Sequence, residues 1–319
     1  MDGAYVFGNV LGNAPIKRAM KASVARGRVS HAYIICGGTG FGKSHLGNAF
    51  AKAILCRQNA EGGSCDACKS CLTFETGNNP DINHIISQKS TMGVEQMRDD
   101  ILSTLATQPH FGQKRVFVIH AAHKMTAAAQ NAMLLTLEEA PKHTVFLLLS
   151  DGLGSFLPTL LSRCITYKMQ PLSAEIIQGE LMKKGIDEKT AKAAAEFSGG
   201  SVGRALTMAQ DEDFALFQNF AINLIDKLPK MGIPDIFATA KSMEQYKDQI
   251  GDVLDIFQMQ YRQEMLAATR QGNADAAKTI LHNIKHIDDT KHKLSANCNF
   301  LLCMEVLMIN LAQIAPKGV

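Results

Sequence analysis

A glycine-rich segment that ends in lysine and serine carries the clearest chemical signal in the sequence. Residues 37–44 read Gly-Gly-Thr-Gly-Phe-Gly-Lys-Ser and match the pattern G-x-x-x-x-G-K-S in full. In such a phosphate loop the backbone N–H groups surround phosphate oxygens, the lysine reaches the β- and γ-phosphates, and the serine hydroxyl meets Mg²⁺. The pattern predicts a site for ATP and Mg²⁺; a glycine-rich turn with a surface lysine is the alternative. The candidate nucleotide-binding residues are Gly37, Gly38, Thr39, Gly40, Phe41, Gly42, Lys43 and Ser44.

The carboxylates that nucleotide hydrolysis needs are missing from their expected place. An acid at the end of a neighbouring strand holds Mg²⁺, and a second acid orients the attacking water. After the apolar run 116–119 the sequence instead has His120 and Ala121. An imidazole lacks the anionic oxygen that Mg²⁺ prefers, and a methyl group cannot activate water. We therefore predict that the chain binds ATP but hydrolyses it poorly or not at all. A second interpretation makes His120 and His123 ligands of a transition metal.

Four of the eight cysteines follow one another at short spacing. Cys56, Cys65, Cys68 and Cys71 have the pattern C-x8-C-x2-C-x2-C. Four thiolates can fill all positions around one tetrahedral Zn²⁺, which predicts a structural zinc site in a segment with too little apolar content to fold without metal. Unliganded thiols and an iron–sulfur cluster are the alternatives. The remaining cysteines are expected to be inert thiols: Cys36, Cys164, Cys298 and Cys303.

The elements around these residues predict an α/β domain followed by helices. Short apolar runs alternate with helical patterns up to about residue 170, as in a parallel sheet flanked by helices. From Pro171 onward short Ala-rich helices replace the strands, and long amphipathic helices follow Asp211. The expected domains are an α/β module over 1–170 with an insertion at 56–71, a helical lid over 171–210 and an all-helical domain over 211–319. The predicted strands are 32–36, 82–86, 116–119, 145–149 and 165–168.

Composition restricts the class of protein. The 319 residues are 46% hydrophobic, which is enough for globular cores and excludes wholesale disorder. Lysine and arginine number 33 against 30 acidic residues, and a net charge of +3 is too small to indicate a nucleic-acid or membrane partner by bulk electrostatics. No apolar run approaches the roughly 18 residues of a membrane span. We expect a soluble, cytoplasmic protein that meets any DNA through a local patch.

Taken together, these motifs resemble the AAA+ subunits of the bacterial DNA polymerase III clamp loader. Besides the phosphate loop and the four cysteines, the segments 30–33, 131–141 and 158–164 follow the order and spacing of that family. The resemblance implies a RecA-like AAA+ module with a zinc insertion, a small helical lid and an all-α collar that builds a hetero-oligomeric ring. The family contains gamma and tau motor subunits, which hydrolyse ATP, and the delta-prime stator, which is catalytically inactive. The missing acids and the segment Asn79-Pro80-Asp81 favour the stator type; an active ATPase of the gamma or tau type is the alternative.

The resemblance also implies roles for single residues. Arg163, within Ser162-Arg163-Cys164, would enter the nucleotide site of a neighbouring subunit and stabilise charge that grows on the γ-phosphate. Arg204 resembles the lid arginine that contacts phosphates bound in the same chain, and Ser150 stands where a polar sensor residue would lie. For both arginines, an ordinary solvated side chain is the alternative. The chain itself would be ATPase-inactive within the polymerase holoenzyme.

Partners follow from the same resemblance. They are the gamma/tau and delta clamp-loader subunits, the sliding clamp, and primer–template DNA contacted through its phosphates. Candidates for that DNA contact are Gln96, Arg98, Lys114 and Arg115, with plain exposure to solvent as the alternative. A stand-alone zinc- and nucleotide-binding module without any link to a polymerase is the competing functional class.

Overall fold

The computed structural model describes residues 5–59, 61–87, 89–105, 107–210, 214–296 and 298–312. The chain folds into two compact units, Met1–Gly185 with Gly200–Leu206, and Ile186–Gly199 with Thr207–Val319. The sequence predicts three domains with boundaries near residues 170 and 210. That finer division stays a prediction.

A five-stranded parallel sheet lies at the centre of the first unit, with strand order β2-β3-β4-β1-β5. The predicted parallel α/β sheet is confirmed, and each strand begins and ends within one residue of its expected bounds. Strands β1, β3 and β4 are buried along their whole length, which explains their uninterrupted apolar sequences. The strands are Ala32–Cys36 (β1), Ile82–Ile85 (β2), Arg115–Ile119 (β3), Thr144–Ser150 (β4) and Ile165–Lys168 (β5).

Helices connect the strands and continue to the end of the described chain. Residues Arg98–Leu102 form a short π-helix between α4 and α5. The α-helices are Ala14–Ala25 (α1), Lys43–Leu55 (α2), Lys69–Glu75 (α3), Val94–Met97 (α4), Ser103–Leu105 (α5), Ala127–Glu139 (α6), Pro158–Leu161 (α7), Ala174–Lys183 (α8), Glu188–Phe197 (α9), Val202–Gln210 (α10), Phe214–Lys227 (α11), Ile233–Ser242 (α12), Ile250–Arg270 (α13), Ala274–Ser295 (α14) and Phe300–Leu311 (α15).

Two apolar clusters hold the sheet of the first unit between helices. On one face, Tyr33 and Ile35 of β1 pack with Phe50 of α2. On the other face, Ile34 of β1 lies in a cluster with Met133 of α6. Because all strands are parallel, the segments after β1, β3 and β4 lie at the same edge of the sheet. In open α/β sheets this edge is where ligands bind.

The described part of the second unit consists of helices joined by short turns and contains no strand. Helices α13 and α14 form an antiparallel pair, joined across their polar side by an ion pair between Lys291 and Asp255 and by a hydrogen bond from Gln258 to Asp288 of 2.6 Å. Helix α15 buries one apolar face, formed by Phe300, Cys303, Met304, Leu307, Met308 and Leu311. The predicted helical C-terminal region is thus confirmed. In the described part of the chain, no helix combines the length and apolar character needed to cross a bilayer.

Candidate nucleotide and metal sites

The phosphate loop lies between the end of β1 and the start of α2. Gly40 and Gly42 have φ angles of 75° and 85°, a region that side chains with a Cβ rarely adopt. A Cβ on Gly40 would also lie 2.2 Å from Ser201 Oγ. The N–H of Gly203 donates to the Gly40 carbonyl at 3.2 Å, so the loop is in contact with the start of α10. Glycine is therefore required by the geometry of the loop at positions 40 and 42.

Lys43 is held by three acceptors. Its Nζ donates to the carbonyl oxygens of Gly37 and Gly38, both at 2.8 Å, and forms an ion pair of 2.7 Å with Asp151 Oδ1. The hydroxyl of Thr39 lies 3.4 Å from the other carboxylate oxygen of Asp151. Burial alone would raise the pKa of Asp151, but the hydrogen bond and charge of Lys43, with His123 nearby, lower it.

Asp151 is a site residue that the sequence motifs did not predict. The signal that would have found it is an acidic residue directly after the apolar run of β4, since acids at strand ends of this edge are the ones that meet phosphates and Mg²⁺. Ser150, the candidate sensor residue, is fully buried and donates to the Gly152 carbonyl at 2.5 Å. Ser150 thus stabilises a turn, and the side chain of Asp151 contacts the phosphate loop instead.

A cavity of about 540 Å³ opens beside the phosphate loop within the first unit. This volume is in the range of small-molecule sites. Lys43 and Ser44 line it on one side, and charge comes from Glu180 of α8 and from Lys184, which directly follows that helix. Arg204 is half-buried next to this cavity but is not among its lining residues. The apolar lining of the cavity comes from Val10, Leu11, Phe41, Leu172, Val202 and Leu206.

Imidazoles occupy the end of β3 where an ATPase would have its acids. His120 Nε2 lies 3.1 Å from His84 Nδ1. Partial desolvation lowers the pKa of both rings although His84 remains exposed, and the charge of His84 lowers the pKa of His120 further. His123 accepts a hydrogen bond of 3.3 Å from the backbone N–H of Asp151. The structure thus gives His120 and His123 different partners. Among the described residues they belong to no group of three metal-ligating side chains.

The four predicted cysteines come together after α2. Their Sγ atoms all lie within 4.8 Å of one another, so the cluster could hold a metal ion. Tetrahedral zinc with bonds of about 2.3 Å would place its sulfur ligands about 3.8 Å apart, and the Sγ atoms of Cys65 and Cys71 are separated by 4.0 Å. Backbone N–H groups of Cys65 and Cys68 point at the sulfurs of Cys56 and Cys65, each at 3.3 Å. Such donors stabilise thiolates, as a metal site requires.

A buried lysine of helix α2 forms ion pairs with the cysteine segment and with helix α3. Lys52 of α2 has no exposed side-chain surface, and its Nζ lies 2.6 Å from Asp66 and 2.5 Å from Glu75 of α3. The two carboxylates raise the pKa of Lys52 against the opposing effect of burial. The role of this lysine was not predicted, because nothing in the apolar pattern of α2 distinguishes it from a solvated residue.

The segment 79–81 holds the loop at His110 and Phe111 and contacts helix α3. Asp81 is fully buried and accepts hydrogen bonds from the N–H groups of His110 at 2.6 Å and Phe111 at 2.7 Å. Asn79 donates to the Ser70 carbonyl of α3 at 2.8 Å. These contacts give the Asn-Pro-Asp segment a structural role.

Arg163 lies on the surface between α7 and β5. Its Nη2 forms an ion pair of 2.8 Å with Glu138 at the end of α6, and its Nη1 donates to the Thr159 carbonyl at 3.2 Å. The arginine side chain keeps 41% of its surface exposed. A guanidinium in this position remains accessible to a group outside the chain.

The DNA-contact candidates have different environments. Arg98 is exposed, whereas Gln96 donates to the Ile86 carbonyl and Lys114 to the Lys142 carbonyl, each at 2.8 Å. Arg115 is a wrong candidate, because it is 3% exposed and donates to the Thr104 carbonyl of α5 at 2.6 Å and to the Gln108 carbonyl after that helix at 3.4 Å. The sequence showed its charge but not the carbonyl groups that surround it.

The strand order and the loop after β1 define the class of this protein: it is a phosphate-loop α/β module of the AAA+ type with a helical C-terminal region. A family model described as DNA polymerase III, delta subunit, matches residues 12–173. This match covers about half of the chain, and the chain belongs to that family. The resemblance to the delta-prime type of DNA polymerase III subunit, inferred from the motifs, is confirmed.

The chain is similar to subunits of DNA polymerase III from other bacteria. The delta' subunit of DNA polymerase III from Bacillus subtilis is 26% identical over 323 residues, which covers 93% of this chain and 95% of that protein. The tau subunit from Escherichia coli is 31% identical over 175 residues, covering 55% of this chain and 27% of that protein. A solved gamma subunit-related protein from Thermotoga maritima aligns with 93% of this chain and 98% of its own at 18% identity and a TM-score of 0.47.

Proposed function

We propose that this chain is a clamp-loader subunit of the delta-prime, or stator, type, which binds ATP without hydrolysing it at a useful rate. One observation carries the proposal: the chain combines an intact phosphate loop after β1 with a β3 strand end that has His120 and Ala121 in place of acids. The same combination disfavours the gamma or tau type of active ATPase. Membership of the polymerase family disfavours a stand-alone zinc and nucleotide module.

The loop fits a nucleotide. Gly40, Gly42 and Lys43 line the cavity at the start of α2, where a helix N-terminus favours phosphate, and Ser44 offers a hydroxyl for Mg²⁺. The apolar residues on the opposite side of the cavity are suited to a base. Bound Mg²⁺ would neutralise phosphate charge there, while His120 supplies no carboxylate to activate water. Arg204, beside the loop, is proposed to approach the phosphates.

Arg163 is proposed to act on the nucleotide of a neighbouring subunit. Its partner Glu138 is 51% exposed, and an ion pair on a surface of this kind contributes only about 0–1 kcal/mol. The guanidinium can therefore exchange Glu138 for a γ-phosphate at small cost, and a trans-acting arginine stabilises charge that develops during hydrolysis. A chain that is itself inactive would in this way contribute to turnover elsewhere in the ring.

The proposed metal is structural Zn²⁺ on Cys56, Cys65, Cys68 and Cys71. A closed set of four thiolates favours zinc and leaves no position for a substrate. The ion would supply the cross-link that holds this insertion, and the buried Lys52 would join the insertion to α2.

The proposed partners are the gamma/tau and delta subunits, the sliding clamp and primer–template DNA, in the cytoplasm. The second unit supports a ring contact, since apolar side chains remain exposed in pairs one helical turn apart. These pairs are Ile233 with Phe237 on α12, and Leu302 with Val306 on α15. Arg98 is the candidate for contact with DNA phosphates that remains exposed.

Reconstitution of this chain with gamma and delta subunits tests the proposal. We expect the isolated chain to show no ATP turnover, and we expect Arg163→Ala to assemble normally but to lower DNA-stimulated turnover severalfold, because only the site beside this subunit loses its arginine. The matched control is Arg18→Ala, which removes an exposed arginine from α1. Unchanged turnover with Arg163→Ala would remove this residue from the mechanism, and turnover by the isolated chain at the rate of a motor subunit would establish the gamma or tau type instead.

A further inference from the structure

The ammonium group of Lys43 has no unused donor. An ammonium carries three N–H donors, and Lys43 directs them to the carbonyls of Gly37 and Gly38 and to the carboxylate of Asp151. Its side chain is 12% exposed. The two carbonyls belong to the phosphate loop itself, whereas Asp151 reaches the lysine from a different strand. A phosphate that enters the loop must therefore take over the contact that Asp151 now makes.

The sheet holds Asp151 in this place. Ser150, which precedes it, pairs with Cys36 in the register between β4 and β1. The Gly37 N–H donates to the Ser150 carbonyl at 3.1 Å, so the start of the loop and the end of β4 are joined by backbone. The ion pair is thus a consequence of strand order, and Asp151 can be replaced in an experiment without altering that backbone pairing.

Asp151 carries the negative charge that a phosphate would bring. It is ionised near neutral pH, since Lys43 lowers its pKa against the effect of burial. Its second oxygen accepts from Thr39 at 3.4 Å and lies 3.8 Å from His123 Nε2. Charge-assisted hydrogen bonds of this kind are stronger than neutral ones. A nucleotide has to compete with an internal anion that is already bound to the same ammonium.

We propose that Asp151 sets the affinity of this phosphate loop for nucleotide, by competing with nucleotide phosphates for Lys43. The inference rests on the proposed nucleotide site and adds a positioning residue that acts through Lys43. It also distinguishes two roles of an acid at this strand end: a competitor weakens nucleotide binding, whereas a ligand of Mg²⁺ would strengthen it.

Titration of the purified, zinc-loaded chain with ATP, by calorimetry with and without Mg²⁺, tests the proposal. We expect Asp151→Asn to lower the Kd for ATP by about tenfold, as for the removal of one competing charged contact at a half-exposed position. Asp151→Ser is the second variant, and thermal unfolding checks that both fold. The matched control is Glu139→Gln, which removes one exposed negative charge from α6.

A second arm separates competition from a general structural effect. In a Lys43→Ala background, Asp151→Asn should give no gain in ATP affinity, because the group for which it competes is gone. An unchanged Kd in Asp151→Asn overturns the proposal. A higher Kd together with loss of the Mg²⁺ effect would instead identify Asp151 as a metal ligand.

Assembly with gamma and delta is measured on the same variants, so that the two ideas can fail separately. A chain that gains ATP affinity but does not assemble contradicts only the clamp-loader assignment. A chain that assembles but gains no affinity contradicts only the role of Asp151.

Discussion

Lys52 Nζ lies 2.6 Å from Asp66 Oδ1, and this contact joins the phosphate-loop helix to the segment that carries Cys65 and Cys68. Helix α2 begins at Lys43 and is followed directly by Cys56. One helix therefore has the candidate nucleotide site at its start and the candidate metal site at its end. A change in the position of the cysteine segment can therefore shift α2 and, with it, the phosphate loop at the start of that helix.

Lys52→Met should destabilise the chain, because it leaves two carboxylates without their buried partner. Loss of one member of a fully buried pair costs about 3–5 kcal/mol. Asp66 and Glu75 keep 31% and 27% of their side-chain surfaces exposed and can be partly resolvated, so we expect a decrease of about 2 kcal/mol in the free energy of unfolding. Urea unfolding followed by circular dichroism measures it.

Lys183→Met is the matched control for this substitution. Lys183 is 76% exposed and forms an ion pair of 3.5 Å with Glu180 one helical turn away. Such pairs contribute about 0.5 kcal/mol or less. If the two methionine variants unfold at the same urea concentration, Lys52 is not the anchor that its contacts indicate.

Metal analysis checks the cysteine cluster. We expect one Zn²⁺ per chain, and we expect Cys68→Ser to lose the metal and to become sensitive to protease between α2 and α3. Cys298→Ser is the control, because it removes an exposed cysteine from the second unit. Freshly purified chain without metal, or with iron in place of zinc, would contradict the structural zinc site.

Local pattern accounts for what the sequence predicts well. The phosphate loop, the cysteine cluster and the strands each depend on residues that are near one another in the chain, and buried parallel strands have apolar runs that are easy to recognise. Ion pairs such as those of Lys43 with Asp151 and Lys52 with Asp66 depend on which strand or loop packs against which helix. Charge alone does not distinguish a solvated residue from a buried partner, and Arg115 was misassigned for this reason.

The pair of His84 and His120 should make stability depend on pH near neutrality. Partial desolvation lowers the pKa of both rings in the folded chain, although His84 remains exposed, so the unfolded chain binds more protons between those lowered values and about 6.5. The stability that the neutral rings contribute is then fully present above the pKa of histidine in the unfolded chain, and it is lost as the pH decreases below that pKa. Urea unfolding at pH 7.5 and pH 6 should show this decrease.

Replacement of the two rings tests the origin of that dependence. The double variant His84→Asn, His120→Asn should lose less stability between the two pH values than the unaltered chain. His282→Asn, which removes an exposed histidine from α14, should behave like the unaltered chain. An equal decrease in all three proteins would place the titrating groups elsewhere.

Glu138→Gln should make Arg163 more available to a neighbouring subunit. The guanidinium now shares its Nε and Nη2 donors with one oxygen of Glu138, at 3.0 and 2.8 Å. Because both side chains are largely exposed, we expect the free energy of unfolding to change by less than about 0.5 kcal/mol.

In the reconstituted complex, half-maximal stimulation of ATP turnover should need about two- to fivefold less of the Glu138→Gln subunit, because a weak ion pair that competes for Arg163 has been removed. Glu139→Gln, one residue away on α6, removes the same charge and should leave the requirement unchanged. If Glu138→Gln raises the requirement, the carboxylate holds Arg163 in its working position and does not compete with the phosphate.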